Sequence, residues 1–86
     1  MATRQQIYAE IETEREAQDV EYGGPEADDA INEHGWCAKV VKFLGRAMEA
    51  KSPQALRRSF VRVAALAVAA IEWHDRMVAR RERAGL

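Results

Sequence analysis

Nine consecutive residues, Val63-Ala64-Ala65-Leu66-Ala67-Val68-Ala69-Ala70-Ile71, carry no charge and no hydrogen-bonding side chain. The spacing around this run predicts one long helix over 53–83, with Ser52 as N-cap and Pro53 at the first helical position. At 1.5 Å per residue such a helix is roughly 45 Å long. A helix that is apolar all the way round has to be covered on more than one side. The run is about half of what a bilayer crossing needs, so its cover must be protein and not lipid. Five alanines within it allow another helix to approach closely. Arg76, Arg80, Arg81 and Arg83 sit where they complement the C-terminal helix dipole.

The remainder of the 86 residues offers little to cover that helix with. Residues 3–20 predict a helix opened by Thr3 and Gln6 at capping-box spacing. Its apolar face is thin, with Ile7, Ile11 and Tyr8 continued in polar form by Glu14 and Gln18. Residues 21–34 hold Gly23-Gly24-Pro25, which breaks a helix, and predict a Gly/Pro/acidic loop. Residues 36–50 predict a helix whose apolar face is Trp36, Val40, Leu44, Ala47 and Met48, with Val41 and Cys37 beside it. The fold class is therefore all-α: a helical hairpin or bundle of two to three helices in a single domain, 1–86, with a long C-terminal helix. Two short helices do not cover the alanine-rich run, so homodimerisation is expected to complete it.

Charge adds a second constraint. The net charge of -1 conceals a strong asymmetry. Residues 1–35 have two arginines against ten acids, while residues 36–86 have eleven Lys/Arg against four acids. The chain is thus neither a basic nucleic-acid coat nor an acidic tail. Glu10, Glu12, Glu14 and Glu16 repel one another along the first helix and call for a basic partner surface. Arg57, Arg58 and Arg62 on the long helix provide one, within one chain or across a dimer. No aromatic residues are interleaved with those arginines in the manner of a stacking platform, which weighs against direct nucleic-acid binding. One cysteine and an N-terminus without an apolar segment point to a protein of the reducing cytoplasm with no signal peptide and no membrane partner.

No complete catalytic constellation is spelled out. Cys37, flanked by His34 and distant from His74, reads as a small core hydrophobe and not as a nucleophile. Glu72 and Asp75, at i and i+3, can face a common point, and Glu26, Asp28 and Asp29 offer further oxygen ligands for Mg²⁺. The competing expectation is that Glu72 and Asp75 pair with Arg76 and its neighbours.

The stretch Ile11-Glu12-Thr13-Glu14-Arg15-Glu16-Ala17-Gln18-Asp19, then Tyr22-Gly23-Gly24-Pro25-Glu26 with Asp28-Asp29, then Trp36, then Val61 to Glu72 with Asp75-Arg76, resembles a group of small phage and prophage proteins. That group is similar to the MazG-type all-α nucleoside triphosphate pyrophosphohydrolases. The resemblance implies an ExxE motif on the second helix and an ExxD motif early in the next, together holding Mg²⁺ on substrate phosphates. By the apolar framework these fall near Phe43-Leu44-Gly45-Arg46 and Ser59-Phe60-Val61-Arg62. Phe43, Arg46, Ser59 and Arg62 are not Mg²⁺ ligands, since a hard cation takes anionic oxygens. Glu72 and Asp75 form an ExxD about three turns later than the family pattern.

The resulting expectation is a non-catalytic phage-type binding protein in the host cytoplasm that needs no cofactor. It would dock to a host protein through Glu10, Glu12, Glu14, Glu16, Asp19, Glu26, Asp28 and Asp29, for example to inhibit a defence system such as CRISPR. Alternatively, Lys42, Arg46, Arg58 and Arg62 would hold the phosphates of a nucleotide. The alternative class is a Mg²⁺-dependent nucleoside triphosphate pyrophosphohydrolase built on Glu72 and Asp75 with the loop acids.

Overall fold

The computed structural model describes residues 1–85. Four helices follow in order: α1 (Arg4–Tyr22), α2 (Gly24–Asp28), α3 (Glu33–Met48) and α4 (Pro53–Arg83), with no strand among the described residues. The fold is all-α with a long C-terminal helix of 31 residues. No described helix is long and apolar enough to cross a membrane.

Local chemistry accounts for the helix starts. Thr3 Oγ1 accepts from the Gln6 N–H (3.1 Å) and Gln6 Oε1 accepts from the Thr3 N–H (2.8 Å), closing the capping box of α1. Ser52 Oγ accepts from the Ala55 N–H at 3.1 Å, and Pro53 opens α4. Between α1 and α3 the structure departs from the loop expected over 21–34. The first helix runs on to Tyr22 and ends at Gly23, whose φ of +95° is the left-handed conformation that favours glycine and lets its N–H reach Asp19 O. Pro25 then starts the short α2 instead of ending helical structure, because a proline in the first turn has no hydrogen bond to lose. Asn32 Oδ1 accepts from the Gly35 N–H (2.8 Å), so α3 begins at Glu33 and not at 36.

The long helix is the spine. A turn at 49–52 sends α4 back antiparallel to α3, and α1 lies against another side of α4, running with it. The direction of α1 follows from successive ion pairs: Glu10 meets Arg57 and Glu14 meets Arg62. In the α3–α4 seam the rings of Trp36 and Trp73 lie 6.3 Å apart. Leu66, Ala70 and Met77 share the side of Trp73 at helical spacing. On α3, Trp36, Val40, Phe43 and Ala47 recur every three or four residues, and Trp36, Phe43 and Ala47 are buried.

This seam corrects the expected α3 face. Phe43 is buried, whereas Leu44 and Met48 are exposed and Cys37 is exposed rather than in the core. The helix is rolled by one residue, which buries Phe43, a larger apolar side chain than Leu44. The apolar core of one chain is correspondingly small: Trp36, Phe43, Ala47, Ala65, Leu66 and Ala69. Within the nine-residue apolar run, Ala67, Val68 and Ile71 remain exposed. The radius of gyration, 14.5 Å, exceeds the roughly 12 Å of a compact chain of this length.

Candidate functional site

The acids of the first third meet the arginines of α4 in an extended lattice. Arg57 donates to Glu10 Oε2 at 2.6 Å, and Arg62 Nε lies 3.7 Å from Glu14 Oε1. Arg15, its side chain largely buried, bridges Asp19 (2.9 Å) and Glu72 (3.3 Å). Just after α2, Asp29 accepts from Arg76 Nε and Nη2 at 3.0 and 2.9 Å and from Arg80 as well. The Arg76 hydrogen bond, seconded by Arg80, holds the Asp29 carboxyl below the usual carboxylate range. The expected local pairings are thereby replaced. Glu72 turns to Arg15 instead of Arg76, while Asp75 lies against His74 Nδ1 at 3.2 Å. Asp29 takes the Arg76 and Arg80 guanidinium groups, which leaves Glu72 to Arg15 across the α1–α4 contact.

The eight acids expected to form an interaction surface divide accordingly. Glu10, Glu14, Asp19 and Asp29 are held by arginines. Glu12, Glu16 and Glu26 are exposed and have no ion-pair partner among the described residues. Asp28 is the exception, only 6% exposed. Its side chain makes no hydrogen bond or ion pair among the described residues, and burial pushes its carboxyl up against the opposing pull of Arg15. It is therefore a core group and not a docking residue.

The five carboxylates of the alternative Mg²⁺ set, Glu26, Asp28, Asp29, Glu72 and Asp75, are spread over α2, the turn after it and α4. Among the described residues no three His, Cys, Asp or Glu side chains converge on a point suited to an ion. Two of the five, Asp29 and Glu72, already accept from arginines.

The cationic set behaves differently. Lys42 and Arg46 each precede a seam residue of α3 by one position (Phe43, Ala47), and Arg58 and Arg62 likewise precede Ser59 and Val63 on α4. A step back of one residue is a 100° turn, and in antiparallel neighbours that turn leads to the same side of the layer. All four cations thus share one side of the α3–α4 pair. Arg46 rests on the Phe43 ring, 4.6 Å from its centroid. Lys42 and Arg58 are exposed and without an ion-pair partner among the described residues.

The opposite side of the same pair is apolar. One position after the seam lie Cys37, Val41, Leu44 and Met48 on α3, and Phe60, Ala64, Ala67 and Ile71 on α4. By the same turn these stripes point together. Val41, Met48, Phe60 and Ile71 are each more than half exposed.

Gln18 and Lys39 are contributors not singled out by their sequence context, and Asp28 is one expected at the surface instead. Gln18 is 5% exposed and donates from Nε2 to the Arg62 carbonyl at 3.3 Å, pinning α1 to the α4 backbone. Lys39 Nζ sits 4.3 Å from the Tyr22 ring centroid and 5.6 Å from that of Trp36, linking α1 to α3. Asp28 is closed off at the end of α2, in a stretch whose Gly-Gly-Pro predicts a loop. Only Gln18 had left a signal, as a polar residue in register with Ile7 and Ile11. Comparison with protein-family models, with curated proteins and with solved structures finds no match for this chain.

Proposed function

We propose that this is a non-catalytic binding protein of the phage-type MazG-like group, which acts by docking onto a host protein. The observation that carries this reading is what occupies the four positions assigned to metal ligands by the resemblance. Phe43 is packed in the seam, Arg46 lies on its ring, the Ser59 hydroxyl donates to the Ala55 carbonyl (3.0 Å), and Arg62 turns to Glu14. None of the four offers an anionic oxygen to a hard cation. The docking element is the outer face of α1, where Glu12 and Glu16 stand one turn apart and free of arginine. A basic host surface, such as the nucleic-acid channel of a defence complex, is the partner that this face suits. A second reading, binding of a nucleotide without hydrolysis, is favoured by the clustering of Lys42, Arg46, Arg58 and Arg62 on one side of α3–α4.

The test is charge reversal. Glu12→Lys with Glu16→Lys should abolish capture of the host partner while helical circular dichroism is unchanged; capture that survives makes α1 scaffold only. Arg46→Glu with Arg58→Glu should abolish calorimetric binding of nucleoside triphosphate under the second reading and leave host capture intact under the first. Pyrophosphate release from a triphosphate panel with Mg²⁺, lost in Glu72→Ala, would establish the hydrolase instead.

A further inference from the structure

The long helix outruns its neighbour. Trp36 meets Trp73, and α3 starts only three residues before Trp36, whereas α4 continues for ten residues beyond Trp73. At 1.5 Å per residue, roughly 10 Å of α4 therefore extends past the start of α3. The turn between α2 and α3 crosses this stretch, and a cavity of about 420 Å³ lies between the two. That size falls within the range of small-molecule sites, roughly 300–1,000 Å³. The turn is fixed without filling the space beneath it. Arg76 and Arg80 clamp Asp29, the Ala30 and Ile31 N–H groups donate to the Ala27 and Asp28 carbonyls at 3.1 Å each, and Asn32 Oδ1 caps α3. Ile31 sits so close on Gly35 that a Cβ there would fall 2.6 Å from Ile31 Cγ2. The cavity is thus built into the fold.

Its walls divide by chemistry. Ile31, Trp73, Met77 and Val78 supply the apolar part. Three of the polar lining groups are already occupied. Asp29 is answered by two arginines, the Asn32 side-chain oxygen is spent on the helix cap, and His74 Nδ1 lies 3.2 Å from Asp75. Glu33 and Arg81 are left, both exposed and without an ion-pair partner among the described residues. One comes from α3 and the other from α4, and they do not pair with each other. A carboxylate and a guanidinium held apart beside an apolar void suit a ligand that carries both charges.

We propose that this cavity binds a free apolar or aromatic α-amino acid, with its ammonium on Glu33, its carboxylate on Arg81 and its side chain among Ile31, Trp73, Met77 and Val78. With a hydrogen bond of about 2.8 Å at either end, the ammonium-to-carboxylate unit spans about 9 Å between protein partners. A void of about 420 Å³ is of similar width. A ligand with only a carboxylate leaves Glu33 repelling it, and one with only an amine leaves Arg81 unanswered. The site shares no residue with the outer face of α1 or with the basic side of α3–α4, so it stands or falls apart from the function proposed above.

Methionine-methyl NMR of the full chain reads the site directly, since Met77 lines the cavity and Met48 ends α3 far from it. The probes are phenylalanine, phenylpropionate, which lacks the ammonium, and phenethylamine, which lacks the carboxylate. Phenylalanine should shift the Met77 methyl saturably, leave the Met48 methyl unmoved, and bind roughly tenfold or more tightly than either of the others. Arg81→Gln should weaken phenylalanine by a similar factor and leave phenethylamine no weaker, while Glu33→Gln should weaken phenylalanine and leave phenylpropionate no weaker. The three probes on the wild-type chain decide the matter even if a variant fails to fold. A Met77 methyl that millimolar phenylalanine does not move, equal binding of the three probes, or folded variants that bind phenylalanine as the wild type does, overturns the proposal.

Discussion

Leu66 is the largest fully enclosed side chain in the described structure, at 2% exposure, and it lies two turns before Trp73 on the same side of α4. Truncation to alanine removes three carbons from this enclosed site and leaves a cavity that the surrounding helices fill only in part. A Leu→Ala change in an enclosed site costs about 3–5 kcal/mol. A chain of 86 residues has about 4–13 kcal/mol in total, so the variant should lose at least about a fifth of its stability. At about 4–8 °C per kcal/mol for a domain of this size, a 3 kcal/mol loss lowers Tm by roughly 12–24 °C. Urea unfolding should be followed at one fixed protein concentration by helical circular dichroism and by the fluorescence of Trp36 and Trp73. The two probes should move together, with the midpoint lowered and the slope unchanged. Val20→Ala, at a position 88% exposed, should stay within about 0.5 kcal/mol of wild type. A loss below about 1 kcal/mol for Leu66→Ala, or equal losses at both sites, would show that the α3–α4 seam is not what holds the chain together.

The two neighbouring acids after α1 should respond to pH in opposite senses. Burial raises the Asp28 carboxyl above its unfolded value, so its charge opposes folding near neutrality and that penalty fades as pH falls through the folded pKa. Asp28→Asn should therefore unfold at higher urea than wild type at pH 7, and the gap should close in acid; a destabilised Asn variant at pH 7 would refute the assignment. Asp29 is held low by Arg76 and Arg80, so its contribution is complete above the ordinary carboxylate range and disappears as pH falls through the folded value. Asp29→Asn should destabilise at pH 7 and converge with wild type in acid, below the ordinary carboxylate range, as read from urea midpoints.

What the sequence determined by itself was local and periodic. The Thr3 and Ser52 caps, Pro53 and the uncharged run Val63–Ile71 specified α1 and α4, because capping and helical spacing act within a few residues. The same run announced a helix needing cover on several sides. Arg57 and Arg62 were legible as partners for the acids of α1 because ten acids in the first 35 residues had to be answered somewhere in the chain. The roll of α3 was not legible. Phe43 and Leu44 are adjacent and both apolar, so periodicity admits either face, and only the fit against Leu66 and Trp73 selects Phe43. Nor was the helix at Gly24–Asp28, since Gly-Gly-Pro breaks one helix and opens another with the same residues. The division of one layer into a basic side and an apolar side also arose only in three dimensions. It needs α3 and α4 to be antiparallel, so that the residue before each seam position turns one way and the residue after it turns the other.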